Sequence, residues 1–179
     1  QKTFTGFKIV PIIMGQPTFK TCQDLAKVLD SIIADRTDVL VVISTDMSHY
    51  HSAKVAKSMD GKAIDLVRKL DAAQLWQECN DQTVELCGFA PVTVGLLYAK
   101  QRGLDVKILN YGDSGDVSGD KQAVVGYFSA VFLKGQGEGK KEMKRQNDQT
   151  VPLTSDQKGR VLAIAKDTID TYIRTDKVL

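Results

Sequence analysis

The stretch Val39-Leu40-Val41-Val42-Ile43-Ser44-Thr45-Asp46-Met47-Ser48-His49-Tyr50-His51 decides how this chain is interpreted. It opens with five apolar residues rich in β-branched side chains, which predicts a strand buried on both faces of a parallel sheet. A carboxylate and both histidines of the chain follow within a few residues. Ligands of open α/β sheets bind just beyond the carboxyl ends of such strands. Asp46, His49 and His51 are therefore expected at a ligand-binding edge, unless they only cap a helix or lie on the surface.

The residues before this stretch predict the first half of an α/β unit. Residues 7–14 predict a strand, which Pro11 places at a sheet edge or distorts because proline cannot donate a ladder hydrogen bond. An amphipathic helix follows, with apolar residues recurring at helical spacing: Leu25, Val28, Leu29, Ile32 and Ile33. Strand, helix and strand in this order predict a right-handed parallel crossover. The expected fold is α/β, with a mainly parallel central sheet and helices on both faces.

Three helices are predicted after the decisive stretch. The first covers residues 60–70, with an apolar face formed by Ala63, Ile64, Val67 and Leu70. Asp71 is predicted to be the N-cap of a second, short helix. Residues 86–100 are mostly apolar around the whole circumference, which predicts a deeply buried third helix. That helix must begin near Gly88, since Pro91 is tolerated only in a first turn.

The remaining part of this unit predicts two strands joined by a polar loop. The strands cover residues 106–111 and 123–133, and the loop between them is rich in glycine and aspartate. The loop lacks the regular acidic spacing and the closing glutamate of a calcium loop. We therefore predict that this loop forms the edge of a pocket.

Composition limits the classes of function. The chain has 179 residues, of which 42% are hydrophobic and 26% charged, which is typical of a globular protein that is soluble in water. A net charge of +2 does not indicate a nucleic-acid-binding surface, and no apolar run reaches membrane-spanning length. Three irregularly spaced cysteines argue against a disulfide framework and favour a reducing, cytoplasmic setting.

A sharp change in composition divides the chain. Residues 1–133 form the α/β unit, and residues 134–151 carry little that can be buried, which predicts a flexible linker. Residues 152–179 begin with a capping box at 154–157 and predict the first helix of a second domain. The apolar face predicted over residues 154–174 needs a partner, either an exposed sheet edge or a second copy of the chain.

Several ordered motifs resemble a known family. Residues 44–50, 86–91, 110–121 and 124–127 are similar to the Memo family, also called AmmeMemoRadiSam system protein B. Residues from Pro152 onward resemble the opening helix of an AMMECR-type domain, AmmeMemoRadiSam system protein A. The resemblance implies that residues 1–133 are the C-terminal portion of a Memo-like domain. Part of the sheet is then expected to be missing from this chain or completed by another one.

The resemblance also implies a metal pocket. The Memo fold is similar to class III extradiol dioxygenases, which use iron(II), and Memo proteins carry a site of two histidines and one cysteine. The two histidines belong to the N-terminal half of that domain, so only the cysteine ligand maps onto this chain, at Cys87. Asp46 and His49 match residues that line the same pocket, where the histidine serves as an acid–base group. We therefore expect iron or copper in the intact protein and no tightly held metal in this chain alone.

Each candidate residue also has a plainer interpretation. Cys87 precedes a predicted helix N-terminus, which favours a thiolate, but most free cysteines are small buried hydrophobes. His49 and Asp46 suit proton transfer, but they are also ordinary capping or surface groups. Cys22 and Cys79 are expected to be packing residues, and His51 is expected at the surface.

Three functions follow as alternatives. The first is a Memo-like role in redox or metal-linked chemistry on an unknown small molecule. The second is extradiol ring cleavage, which needs two histidines and a carboxylate around iron, whereas a cysteine favours softer metals such as copper(I). The third is a non-catalytic module that binds a peptide or partner in the inherited pocket.

Overall fold

A computed structural model describes residues 6–15, 17–33 and 36–134 of the chain. The linker predicted over residues 134–151 lies outside the described residues except for Lys134, which ends a strand. The helix predicted over residues 154–174 lies outside them entirely. Contacts divide the chain into two units, one of Gln1–Ile12 with Lys141–Leu179 and one of Ile13–Lys140. In the first unit, residues 6–12 form neither helix nor strand, and most of their large apolar side chains are exposed.

The second unit contains all helices and strands of the described residues. In chain order these are α1 (Phe19–Ile33), β1 (His49–His51), α2 (Ala53–Arg68), α3 (Ala72–Asn80), α4 (Phe89–Gln101), β2 (Leu104–Asp113), α5 (Gly115–Ser118) and β3 (Val124–Lys134). None of the helices in the described ranges is both long and apolar enough to cross a membrane.

The three strands form one small sheet in the order β1-β3-β2, and both pairs are antiparallel. The long pair runs from Leu104 opposite Lys134 to Asp113 opposite Gly126. An irregularity between Ile108 and Asn110 inserts Leu109 as an unpaired residue, as in a β-bulge. The short strand β1 pairs with the beginning of β3, so both histidines lie at one end of this sheet.

Part of the sequence-based fold prediction does not match this sheet. The prediction of an α/β unit is confirmed, but the described strands pair antiparallel rather than parallel. The strands predicted at 7–14 and 39–43 are not formed among the described residues. A run of β-branched residues favours a strand only where a neighbouring strand accepts its backbone hydrogen bonds. Composition alone does not reveal whether that neighbour is present.

Two apolar clusters hold the helices together. The larger cluster joins α2, α3 and α4 to the sheet and includes the fully buried side chains of Met47, Leu75 and Leu96. The smaller cluster packs α1 against α4 through small side chains: Cys22, Ala26, Ala90 and Val94. Cys22 is therefore the packing residue that the sequence predicts. Part of the predicted apolar stripe of α1 stays in water, since Val28 and Ile32 are exposed.

The helix ends follow local sequence signals. Asp71 caps α3, because its Oδ1 accepts the Gln74 N–H at 3.1 Å, as predicted. The buried helix α4 has Gly88 as its N-cap and carries Pro91 in its first turn, which confirms the predicted start. Helix α2 begins at Ala53 rather than at residue 60, so Asp60 lies inside the helix and not at its beginning.

Candidate functional site

Two short segments meet at the end of the sheet. Residues 44–51, the histidine segment, lie beside residues 84–88, the cysteine segment. The Asp46 N–H donates to the Cys87 Sγ at 3.1 Å, and the Cys87 N–H donates to the Asp46 carbonyl oxygen at 3.2 Å. Thr45 Oγ1 accepts the Gly88 N–H at 2.8 Å and lies 3.7 Å from the Cys87 Sγ. The fold therefore brings Cys87 against Asp46, although 41 positions separate them in the sequence.

Gly88 permits this close approach. A Cβ added at Gly88 would lie 2.7 Å from the Ser44 carbonyl oxygen and 2.9 Å from the Thr45 Cβ. Its φ of −105° is ordinary, so the requirement is for space and not for backbone conformation. Any side chain at this position would push the cysteine segment away from the histidine segment.

His49 and Asp46 form a pair on the same surface. The His49 Nε2 lies 3.7 Å from an Asp46 carboxylate oxygen, and both side chains are partly exposed. Asp46 does not cap the following helix, because α2 has Ser52 as its N-cap residue. Of the two interpretations of Asp46, the geometry favours the one in which it faces the histidine.

Glu85 joins both histidines to the cysteine segment. Its Oε2 accepts the His49 N–H at 3.0 Å, and its Oε1 lies 2.9 Å from the His51 Nε2. Burial works to raise the pKa of Glu85, but the hydrogen bonds from His51 and His49 outweigh it and hold that pKa below its ordinary value. The His51 side chain is 34% exposed, close to the 32% of His49, and its ring is bound to Glu85.

Tyr50 lies between the two histidines in an unusual conformation. Its φ is 62°, a left-handed value that costs free energy for any residue other than glycine. The side chain is 79% exposed, so packing of the ring does not offset this cost. The contacts that hold this conformation come from the neighbours, His49 and His51.

A buried carboxylate holds the histidine segment from beneath. Asp60 on α2 is 1% exposed, and it accepts the Ser48 N–H at 3.0 Å and the Tyr111 hydroxyl at 2.8 Å. The Met47 N–H donates to the Gly126 carbonyl oxygen, and the Gly126 N–H donates to the Ser48 carbonyl oxygen, both at 2.9 Å. The backbone of the histidine segment is thus fixed to α2 and β3 at the same time.

The side chains around Asp60 are tightly packed. A Cβ at Gly126 would collide with the Asp60 carboxylate. Burial, together with the hydrogen bond to Asp60, raises the pKa of the Tyr111 hydroxyl. The Ser48 hydroxyl is fully buried and has no hydrogen-bond partner among the described residues. Asp60 therefore supports the segment structurally and does not reach the exposed surface where Asp46, His49 and Cys87 lie.

The three cysteines differ in accessibility. Cys87 is exposed, Cys22 is fully buried, and Cys79 is partly buried. Burial, with a smaller contribution from the charge of Glu78, raises the pKa of Cys79 to about 12. Cys79 packs against the larger apolar cluster, in agreement with its predicted role. Of the three thiols, Cys87 is the one presented to solvent beside an imidazole and a carboxylate.

The acidic loop after β2 is held by an internal cation. The Lys121 ammonium lies 2.8 Å from an Asp113 carboxylate oxygen and 2.6 Å from an Asp116 carboxylate oxygen. A hydrogen bond from Lys121 holds the pKa of Asp116 below its ordinary value. A lysine thus supplies the positive charge that this loop requires.

The described residues do not by themselves make a metal site. In the ranges that the structure describes, no group of three or more histidine, cysteine, aspartate and glutamate side chains is placed to hold one ion. A metal site in proteins takes about three protein ligands. What the arrangement offers is one thiol, one imidazole and one carboxylate on a shared exposed surface.

Sequence reasoning missed Glu85 and Asp60. Asp60 lies on the same helical face as the buried Ala56, Ala63 and Val67, so a carboxylate within an apolar stripe was the available signal. Glu85 is flanked by the buried Val84 and Leu86, which marks an acidic side chain anchored at the core. His49 and His51 are two positions apart, but the strand register shifts between them and Tyr50 has a positive φ, so the regular alternation of a strand does not predict where their side chains lie.

Comparisons with known proteins agree on one family. The Memo-like protein family matches residues 1–131. A MEMO1 family protein of Saccharolobus solfataricus is 37% identical over 129 residues, which cover 71% of this chain and 45% of that protein. MEMO1 family proteins of Saccharolobus islandicus and Sulfolobus acidocaldarius are 36% and 35% identical, over 70% and 71% of this chain and 45% of their own lengths.

The matched region includes both segments of the site. The chain spans less than half the length of the curated relatives it matches, at 45% of each of the three. The match nevertheless extends over almost all the described residues and over every element of the second unit. The chain therefore belongs to the Memo-like protein family.

Proposed function

We propose that this chain is the part of a Memo-like protein that supplies a thiolate, Cys87, and an acid–base pair, Asp46 and His49, to a metal-linked redox pocket. The observation that carries the proposal is the contact between the Asp46 N–H and the Cys87 Sγ at 3.1 Å. It fixes the exposed thiol against the backbone of the residue whose carboxylate lies 3.7 Å from the His49 Nε2. These are the three residues that the Memo resemblance assigns to the pocket.

Cys87 would be one ligand of a metal and not a complete site. The described residues lack the second and third ligands that such a site needs. Under the proposal, the two histidines implied by the family resemblance come from the part of the relatives' length that this chain does not span. A thiolate ligand suits iron or copper, and copper(I) in particular. When bound, the metal would supply the redox chemistry of the pocket.

The chain's own residues have defined roles in this proposal. The Asp46 N–H donates to the Cys87 sulfur and holds it in position. The Asp46 carboxylate lies close enough to the imidazole to orient it. His49 is the acid–base group of the proposal and holds or releases a proton at Nε2 toward a molecule in the pocket. The substrate class is an unknown small molecule.

Metal retention tests the role of Cys87. The purified chain is loaded with copper(I) or iron(II) under reducing conditions, dialysed against a mild chelator and analysed for metal. We expect well under one retained equivalent, and we expect Cys87→Ala to remove what is retained. The matched control is Cys79→Ala, which should behave like the wild type because that thiol packs against the core.

Two results would contradict this assignment. One tightly held equivalent would show that the chain carries a complete site of its own. Equal retention by wild type and Cys87→Ala would remove Cys87 from the ligand set. Oxygen uptake with a panel of catechols addresses extradiol ring cleavage, and peptide binding that is unaffected by Cys87→Ala would favour a non-catalytic binding module.

We also propose that residues 39–43 become a strand of a larger, mainly parallel sheet in a protein of the relatives' full length. Leu40 and Val42 are 73% and 77% exposed here, which is unusual for a β-branched and apolar run. Amide hydrogen exchange at residues 39–43 should slow when the chain is extended to that length. Equal exchange in both proteins would contradict the larger sheet. The AMMECR-type identity of the residues from Pro152 onward stays a prediction.

A further inference from the structure

The Glu85 carboxylate links the cysteine segment to the histidine segment. It is the side chain through which the cysteine segment contacts both histidines. Glu85 lies two positions before Cys87, and its neighbours Val84 and Leu86 are buried at 0% and 6% exposure. The backbone at Glu85 is therefore held in the core by the buried side chains on either side, which fixes the position from which the carboxylate extends.

Both carboxylate oxygens of Glu85 are used, each for a different histidine. Oε2 binds the backbone N–H of His49, and Oε1 binds the ring Nε2 of His51. Because a carboxylate oxygen only accepts, the His51 Nε2 carries the proton in this pair. One side chain thus fixes the backbone of the first histidine and the ring of the second.

This bridge closes a ring of contacts around the site. At one end the Asp46 N–H is bound to the Cys87 Sγ, and at the other end the His49 N–H is bound to Glu85. The direction of a side chain is set by the backbone that carries it. Holding the His49 backbone at one end and Asp46 at the other determines where the imidazole lies relative to the thiol.

The conformation of Tyr50 supports a positioning role. A left-handed φ at a non-glycine residue costs free energy and persists where the surroundings impose it. Tyr50 is exposed, so its own ring makes no compensating burial. The two residues that flank it are the two that Glu85 holds. Glu85 therefore holds the chain on both sides of this left-handed residue.

On the basis of the metal-linked function proposed above, we propose that Glu85 is a positioning residue that holds His49 in place relative to the thiolate of Cys87. Glu85 acts through the His49 backbone and the His51 ring and does not itself contact the metal or the substrate. Glu85 is not bonded to the proposed metal ligand, but it lies on the cysteine segment and holds the histidine segment, whose Asp46 N–H donates to the Cys87 Sγ, so its loss should also disturb the thiol.

The experiment compares Glu85→Ala, Glu85→Gln and His51→Ala with the wild type. Copper(I) affinity is measured by competition with a chromophoric chelator, and the exchange rate of the His49 amide is measured by NMR on the metal-free protein. We expect Glu85→Ala to speed His49 amide exchange about tenfold or more, and to weaken copper(I) binding by a smaller factor because Glu85 acts on the Cys87 thiol only through the histidine segment. Glu85→Gln should recover most of both, because its amide oxygen can still accept the His49 N–H.

A matched control separates positioning from general stability. Glu78 lies on α3 and bonds only to Gln74 and Thr83 among the described side chains, so Glu78→Ala and Glu78→Gln repeat the same chemical changes away from the histidines. We expect both control variants to keep wild-type copper(I) affinity and wild-type exchange at His49, whatever they do to the unfolding midpoint.

The two readouts distinguish failure of this inference from failure of the proposed function. If Glu85→Ala keeps wild-type copper(I) affinity although the wild type binds through Cys87, the positioning role is overturned. Unchanged exchange of the His49 amide in Glu85→Ala overturns it as well. If the wild type binds no more copper(I) than Cys87→Ala, but Glu85→Ala exposes the His49 amide and Glu85→Gln restores its protection, the positioning of His49 stands and the metal-linked function fails.

Discussion

Residues 39–43 and residues 46–49 are neighbours in the chain, but the fold holds them in opposite ways. The first segment is almost wholly apolar, yet Leu40 and Val42 are largely exposed. No backbone hydrogen bond joins it to another part of the described chain. The second segment carries polar and ionisable groups, yet Met47 and Ser48 are completely buried.

The difference shows that hydrogen-bond partners, more than hydrophobicity, decide which backbone is fixed here. Residues 46–49 each have a backbone N–H bound to a defined partner: the Cys87 Sγ, the Gly126 carbonyl oxygen, Asp60 and Glu85. In residues 39–43, Ile43 alone packs against the larger apolar cluster, where Gly95 leaves room for its side chain. Burial follows from these anchors, because a polar backbone can enter a core only when its donors are satisfied.

The largest expected effect is the loss of stability when Met47 is truncated, compared with the truncation of Leu40 in the other segment. Met47→Ala should lower the free energy of unfolding by about 3 kcal/mol, because it leaves a cavity in the main cluster. Leu40→Ala should change it by about 0.5 kcal/mol or less, because that side chain is already in water. Urea unfolding followed by circular dichroism measures both. Equal losses at the two positions would mean that residues 39–43 are buried in solution.

A second expectation concerns the space beneath the histidine segment. Gly126→Ala should cost about 2 kcal/mol, because the added methyl displaces the Asp60 carboxylate from its bonds to Ser48 and Tyr111. The matched control is Gly61→Ala on α2, where a Cβ meets open space and alanine should stabilise the helix by about 0.5–1 kcal/mol. Thermal unfolding of both variants checks the pair, and a neutral Gly126→Ala would show that Asp60 can move freely.

A smaller effect is expected at Tyr111. Tyr111→Phe should cost about 1 kcal/mol at neutral pH, because Asp60 loses one of its two donors. The pKa of Tyr111 is raised in the folded state, so the unfolded chain releases that proton first. Its contribution is therefore complete below about pH 10 and is lost as the pH rises further. Unfolding midpoints measured from pH 8 to pH 11 should fall less steeply in Tyr111→Phe than in the wild type.

The last prediction compares the rates at which the three thiols react with an alkylating reagent, and it involves no mutation. Cys87 should react with iodoacetamide about tenfold or more faster than Cys79, since it is exposed whereas the pKa of Cys79 is raised to about 12 by burial. Cys22 should be unreactive until the protein unfolds, because its side chain is fully buried. Peptide mass spectrometry after timed quenching resolves the three sites. Labelling of Cys22 as fast as Cys87 would mean that α1 separates readily from α4.

The sequence predicted the local features of the fold well. The N-cap at Asp71, the start of α4 at Gly88 and the two strands β2 and β3 were read from residue types and spacing. The two caps depend on interactions within a few residues, for which sequence signals are direct. Helix α2 is longer at its start than predicted, because it begins at Ala53, seven residues before Asp60.

The long-range features of the fold could not be read in the same way. Strand direction depends on which strands pair, and no local signal distinguishes the antiparallel pairing of β3 with β1 and β2. The family resemblance implies that Asp46 and Cys87 share a pocket, and the structure places the Asp46 N–H 3.1 Å from the Cys87 Sγ. The roles of Glu85 and Asp60 depend on contacts with residues distant in sequence, so they became visible only in three dimensions.

The anchors of the histidine segment have a consequence for how the protein is made. Ser48 emerges from the ribosome before the groups that hold it and its neighbours, which are contributed by Asp60, then Glu85, and last Gly126. Contacts between distant residues form only after the entropy of closing a long loop has been overcome. During synthesis the imidazole and thiol groups therefore remain unassembled until β3 has been translated. A ribosome that stalls before Gly126 releases a chain that carries every candidate residue and no organised site.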